Sequence, residues 1–305
     1  MTIEVPEVPP AATAIDIAGA ERKTARRERT KLLFSSPAFV FGSLIVAFWV
    51  FCAAFPSVLT RFDPRDTAVT DDGELLGFHT SPNGNAWFGT DSVGRDVFSR
   101  VVAGARPIMV DAFAAAALAV IAGTVLGLIM GYKRGWIDEL LSRFVEAFLS
   151  LPVILIGVLA TATIGKSRIV IIAIVAVLFT PIVARTVRSS VSAQADLDYV
   201  TSARLRGESS MYIMAREIFP NVTATIVVEL TVRIAYAIFT LATLAFLGLT
   251  GSDLALPDWG KDIAAEFRFL PNDTWWSTIF PALAIATLIV AVNLIADTID
   301  RVNKS

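Results

Sequence analysis

The 305-residue chain contains one cysteine and one histidine. Cys52 stands alone inside an apolar run, so neither a disulfide nor a cysteine-based metal cluster is open to it, and it reads as a packing residue. His79 is equally isolated in a polar segment. That excludes a zinc site and a histidine-centred catalytic triad, and leaves His79 as a solvated loop residue. Charge is also scarce. Charged residues make up 18% of the chain and the formal net charge is -2, which offers no footing for nucleic acid. A phosphate-cradling loop of the P-loop type is missing as well, so the chain is not expected to hydrolyse nucleotide. No cluster of nucleophile, base and acid emerges that would suggest an enzyme.

What is present is apolar. Hydrophobic residues reach 55%, with a mean hydropathy of +0.65. A helix needs about 20 apolar residues to cross the roughly 30 Å hydrocarbon core. Six stretches qualify: Ala38–Val58, Pro107–Gly131, Phe144–Ile164, Ile169–Val187, Val222–Leu249 and Thr278–Ile299. Pro152 and Pro181 fall inside two of them, which neighbouring helices can accommodate. Gly165-Lys166-Ser167-Arg168 reads as a tight reversal between the third and fourth. The expected fold is an all-α integral membrane protein with six transmembrane helices.

Basic residues set the orientation. Sixteen Lys and Arg fall on the side of the termini, nine on the opposite side, and Arg233 lies within a span. Both termini are therefore expected in the cytoplasm of a multi-pass cell-membrane protein. Residues 1–36, Pro/Ala-rich and then basic, read as a disordered cytoplasmic tail. Residues 37–106 hold the first span and an outer loop, residues 107–300 the main membrane domain, and 301–305 a cytoplasmic end.

Between two apolar stretches lies the polar island Asp198-Tyr199-Val200-Thr201-Ser202-Ala203-Arg204-Leu205-Arg206-Gly207, and Pro220 follows thirteen residues after the glycine in Ile218-Phe219-Pro220-Asn221. Two short helices with a glycine turn between them would protrude from the bilayer, because Gly207 accepts a backbone conformation that a Cβ resists. Before the second span, Trp87-Phe88-Gly89-Thr90-Asp91-Ser92-Val93-Gly94-Arg95-Asp96-Val97-Phe98-Ser99-Arg100 suits a short helix at the outer interface. Asp96 and Arg100, four apart, are placed to pair on it.

These segments resemble the membrane subunits of ABC importers, specifically dipeptide and oligopeptide permeases of the type with an extra N-terminal span and outer loop. Gly104-Ala105-Arg106, Phe246-Leu247-Gly248-Leu249, Pro257-Asp258-Trp259-Gly260 and Asn293-Leu294 with Asp297 extend the resemblance over roughly Pro37 to Asn303. Thr201, Ser202 and Leu241 depart from it; many peptide permeases carry a carboxylate where Leu241 stands. The resemblance implies a type I permease fold, with a five-helix core plus the N-terminal helix. It also implies a second permease subunit, two ABC ATPases carrying ATP and Mg, and an external substrate-binding protein. The 196–221 loop would then dock into an ATPase through Asp198, Ala203, Arg206, Gly207, Glu208, Ile218 and Pro220. The chain itself would bind no metal or cofactor. Cargo within this family extends to glutathione and nickel complexes, so peptide is one reading among these. An ion-coupled secondary transporter is the alternative from another class.

Inside the membrane, Glu229 and Arg233 are four apart on the fifth span. They form either a neutralised structural pair or a polar lining of the pathway. Gly123, Gly127 and Gly131 make a small-residue face for close helix packing, within this subunit or against the second permease.

Orientation is checked by labelling. With Cys52 removed, Asp71→Cys is expected to react with a membrane-impermeant thiol reagent from outside the cell. Labelling only from the cytoplasmic side overturns the assignment.

Overall fold

The computed structural model describes residues 30–70, 73–251 and 253–304. Most of the expected basic tail lies outside the described residues. Residues 30–35, which the sequence placed in that tail, are helical. Among the described residues the fold is all-helical, with only isolated β-bridges in the outer segment.

The first long helix, α1, runs Pro37–Ala54 and opens on proline, whose missing N–H costs nothing at a helix start. It is apolar all round, as a membrane helix is. Only Gly42, Trp49 and Cys52 are buried in it. Cys52 is thus a core residue.

Helix α2, Val97–Lys133, has 37 residues. At 1.5 Å per residue it is about 55 Å long, far more than the hydrocarbon core requires. Its first turns therefore stand outside the membrane as one piece with the span, and the expected separate interfacial helix does not exist. Asp96 and Arg100 do not pair. The Asp96 carboxylate instead caps α2, accepting from the Ser99 amide at 2.8 Å.

Two helices follow where the sequence suggested one span. Helix α3 is Trp136–Leu149 and α4 is Val153–Ile164, and they meet at 86°. Pro152 causes the break, since it has no N–H to continue the ladder and disfavours helical geometry at Leu151. The span expected over Phe144–Ile164, with Pro152 inside it, is thus a broken one, and its helical part begins earlier, at Trp136.

Helix α5, Arg168–Ala195, packs along α2. A Cβ at Gly123 would lie 2.6 Å from the Val183 Cβ, one at Gly127 2.7 Å from Val187, and one at Gly131 2.7 Å from Val191. Both sets of numbers rise together, so α2 and α5 run in the same direction. The chain must therefore cross back between them, and the bent pair α3–α4 makes that crossing. At one end Arg188 grips Asp138 of α3 through two bonds of 2.5 and 2.6 Å. At the other end Arg168 pairs with Asp111 at 2.6 Å.

Three further helices complete the bundle after the short α6, Asp198–Leu205. Helix α7 is Ser210–Phe246, α8 is Trp259–Glu266 and α9 is Trp276–Lys304. Among the described residues five helices are each long and apolar enough to span a membrane, and the bent pair supplies the sixth crossing.

The segments at the end of the bundle away from the 196–221 loop fold into a cap held by polar contacts. Arg100, buried at the top of α2, donates to Asp262 of α8 at 2.5 Å and to the Pro64 carbonyl at 2.8 Å. The Trp259 indole donates to the Val101 carbonyl at 2.8 Å, seated over Gly104. His79 is not a solvated loop residue: its side chain is 21% exposed and lies 3.0 Å from Glu266. Burial works against the Glu266 carboxylate, but hydrogen bonds from Ser92 and His79 outweigh it and hold its pKa below the ordinary value.

The glycine face of α2 is open to a direct test. Gly127→Ala is expected to lower the melting temperature of the purified protein, by a strain of about 1–3 kcal/mol, and Gly127→Leu to prevent stable folding. Adding Val187→Gly to Gly127→Ala, which removes both the Cβ at 2.7 Å and the Cγ1 at 2.8 Å, should recover part of the loss in a thermal size-exclusion assay. No change in either single variant would show that the two helices separate without cost.

Candidate coupling surface and intramembrane pair

The loop between α5 and α7 is built as a unit. Helix α6 ends in two bonds that satisfy its last carbonyls, from the Gly207 amide to Arg204 at 3.0 Å and from the Glu208 amide to Ala203 at 3.2 Å. This Schellman arrangement needs a left-handed residue, and Gly207 supplies it with φ +79. The next helix starts at once, with the Ser209 hydroxyl accepting from the Tyr212 amide at 3.2 Å. Pro220 then has no N–H for the Arg216 carbonyl, and the preceding turn, Ile213–Ile218, widens to a π-helix.

The seven loop residues picked out by sequence fall into two groups. Ala203 and Ile218 are fully buried, packed with Val191, Ala195, Val200 and Ile213 into a small core that fixes the loop to α5 and α7. They position the loop and do not form its outer surface. Asp198, Arg206, Gly207 and Pro220 are exposed, and Glu208 is half-buried. Arg206 is drawn toward Glu217 at 3.4 Å and Glu208 at 4.0 Å. Asp198 lies in the first turn of α6, where a negative charge suits the helix dipole.

Sequence reasoning missed the apolar part of this surface. Leu205 is 84% exposed, and Met211 and Leu197 are exposed beside it. A leucine two residues before the glycine of a polar island was the available signal. Two contacts tie the loop back to the bundle. Arg204 sits 5.0 Å from the Tyr132 ring at the end of α2, and Arg134 pairs with Asp196 at 2.7 Å. The Arg134 hydrogen bond holds the Asp196 carboxyl below its ordinary pKa.

Within α7 the Arg233 guanidinium donates to the Glu229 carboxylate at 3.0 Å. Both residues are buried, at 9% exposure for Glu229 and 8% for Arg233. Arg233 also faces the rings of Tyr236 at 5.3 Å and Phe179 at 6.0 Å. The two charges are thus brought together along one helix face. Gly123, Gly127 and Gly131 face Val183, Val187 and Val191 of this same chain.

Among the described residues no group of three or more His, Cys, Asp or Glu side chains could hold a metal ion. Gly165-Lys166-Ser167 repeats the closing residues of a nucleotide-binding loop, but Ala160 stands where its first glycine belongs. The triplet forms the turn between α4 and α5, and Lys166 donates to the Gly248 carbonyl at 2.8 Å.

Residues 123–304 match the family described as binding-protein-dependent transport system inner membrane component. The chain is 34% identical over 271 residues to the dipeptide transport system permease protein DppC of Alkalihalophilus pseudofirmus, a match covering 89% of this chain and 86% of that one. It is 32% identical over 262 residues to the di/tripeptide transport system permease protein DppC of Pseudomonas aeruginosa, with 84% of each chain covered. Similarity to the glutathione transport system permease protein GsiD of Pectobacterium atrosepticum is 31% over 272 residues, covering 88% and 85%.

The pair on α7 predicts a specific mutational pattern. Breaking it by Glu229→Gln or Arg233→Gln leaves one charge buried and uncompensated, at a cost of about 3–5 kcal/mol, whereas two apolar replacements avoid that cost. Each single variant is expected to lower the yield of assembled protein, with the Glu229→Leu, Arg233→Leu double variant partly restored. Full yield for the single variants combined with altered transport would assign the residues to the pathway instead.

Proposed function

Because this chain belongs to the family of binding-protein-dependent transport system inner membrane components, we propose that it is the permease subunit of an ATP-driven importer of dipeptides and oligopeptides. An external substrate-binding protein delivers the cargo. A second, homologous permease completes the pathway, and two ABC ATPases sit beneath it on the cytoplasmic side, where both termini of this chain also lie. ATP and Mg belong to those ATPases; this chain contributes no chemical step. Its part is a conformational equilibrium that the ATPases bias by gripping one state more tightly than the other.

One observation supports coupling above all. The 196–221 loop is a rigid two-helix knob, locked at Gly207, fastened through Ala203 and Ile218 and crowned by exposed Leu205. A solvated connection between two spans has no need of an exposed leucine or of a dedicated core. The peptide cargo rests on the two peptide-transporting relatives. The glutathione relative keeps the alternative of another solute within the same family. An ion-coupled transporter is disfavoured, since the intramembrane carboxylate already holds an arginine at 3.0 Å.

Gly207 carries the test. No atom lies within 4 Å of a Cβ placed there, so a substitution acts through backbone strain alone, of about 1–2 kcal/mol. Gly207→Val is expected to insert and assemble normally while uncoupling ATP hydrolysis from uptake in proteoliposomes. Gly207→Ala should show a weaker form of the same defect. Wild-type transport in Gly207→Val would rule out the coupling role.

A further inference from the structure

We propose that the outer end of this subunit holds a pocket for the carboxylate end of a short peptide, a site that rests on the peptide-import reading above. A cavity of about 540 Å³ opens where α2, α5 and α7 meet the outer loops. That volume is in the range of small-ligand sites. Its floor is apolar, made by Gly104, Ile108, Ile171 and Leu241, all buried. Its rim is cationic, with Arg65, Arg106, Lys166, Arg168 and Lys261.

Two acids, Asp111 and Asp258, also line the cavity, and both are already engaged. Asp111 is held by Arg168 at 2.6 Å. Asp258 caps α8, accepting from the Gly260 amide at 2.9 Å and the Lys261 amide at 3.2 Å. Lys166 donates to the Gly248 carbonyl, a neutral group, while Lys261 donates to the Asp253 carbonyl and lies close enough to Asp258 to favour its carboxylate. The Arg65 and Arg106 side chains have no hydrogen-bond or ion-pair partner among the described residues, and both are exposed to the cavity mouth. Thr250, another lining residue, carries a buried hydroxyl oxygen without a partner.

An excess of positive charge over an apolar floor selects an anion joined to an apolar group. A guanidinium binds a carboxylate through paired N–H donors, which favours Arg106 as the main contact. A peptide with a C-terminal leucine has both parts: the carboxylate meets the rim and the side chain covers Ile108 and Leu241. A lipid phosphate shares the anionic chemistry, and its acyl chains would also cover the floor. The experiment separates the two sources.

The assembled transporter is placed in phosphatidylcholine nanodiscs and irradiated with a leucyl-photoleucine dipeptide, which carries the diazirine on its C-terminal side chain, and the labelled residues are mapped by mass spectrometry. Labelling is expected within residues 103–108 or at 241–242. Excess Leu-Leu should compete, while its C-terminal amide should compete about tenfold less well, the worth of one charge-assisted hydrogen bond. Arg106→Gln should reduce labelling by a similar factor, Arg65→Gln should reduce it less, and Arg106→Lys should fall between Arg106→Gln and the wild type, keeping the charge but losing the paired donors. Equal competition by the amide overturns the proposal. So does displacement by phosphatidylglycerol added to the nanodisc, which would assign the cavity to lipid. ATP-driven uptake of Leu-Leu by the wild type is measured in parallel. Its absence would sink the peptide reading as well, whereas uptake without carboxylate-dependent labelling would remove the pocket alone.

Discussion

Gly123, Gly127 and Gly131 let α2 approach Val183, Val187 and Val191 of α5 so closely that a methyl group on any of them would collide. In a bilayer, lipid tails are as apolar as leucine, so helices hold together through packing rather than through exclusion from water. Close approach of small residues is the means available. Because the glycines and valines advance in step, the two helices run parallel, and this direction decides the rest of the topology. Parallel neighbours cannot be joined by a tight turn. The chain between them has to recross the membrane, and α3 and α4 do so as a broken path.

The break itself has a physical reading. Helix α3 presses Val145 against Met130 and Ala184, with its Asp138 held by Arg188, while α4 sets Gly157 against Leu178 and Leu244. The first piece packs on α2 and α5, the second on α5 and α7. Pro152 sits between them, so the bend falls where the backbone has already lost a hydrogen bond. Helix α2 then links two polar assemblies at its ends. Arg100 and Asp262 organise the cap at one end, and Tyr132 receives Arg204 from the 196–221 loop at the other. With the α7 segment tied to the same loop core, the knob at Gly207 is fastened to helices that reach the opposite end of the bundle, the path along which the proposed coupling would act. That continuity is what a coupled transporter requires of its permease.

Much of this was legible in the residues. Apolar runs located the membrane helices because hydropathy is a property of composition and local length. Gly207 announced a turn because few other residues adopt positive φ. The four-residue spacing of Glu229 and Arg233 announced a pair because the helix period brings such residues together. Other features were hidden for a consistent reason. Asp96 and Arg100 have that same spacing yet do not pair, since Asp262 lies 162 residues away in sequence and offers Arg100 a better-placed carboxylate. His79 looked solvated because Glu266, its partner, is 187 residues away along the chain.

The sequence by itself determined that the chain is a helical membrane protein, where the apolar centres of its helices lie, and which loop carries a glycine-locked knob. Those properties follow from short-range physics: hydropathy, helix period and allowed φ. Only the tertiary structure decided that Phe144–Ile164 is bent, that α2 continues unbroken into the outer cap, and that Ala203 and Ile218 face inward while Leu205 faces out. It also assembled the cationic rim from residues between 65 and 261. These depend on which surfaces meet, and long-range pairing is set by the packing of whole helices rather than by any local pattern.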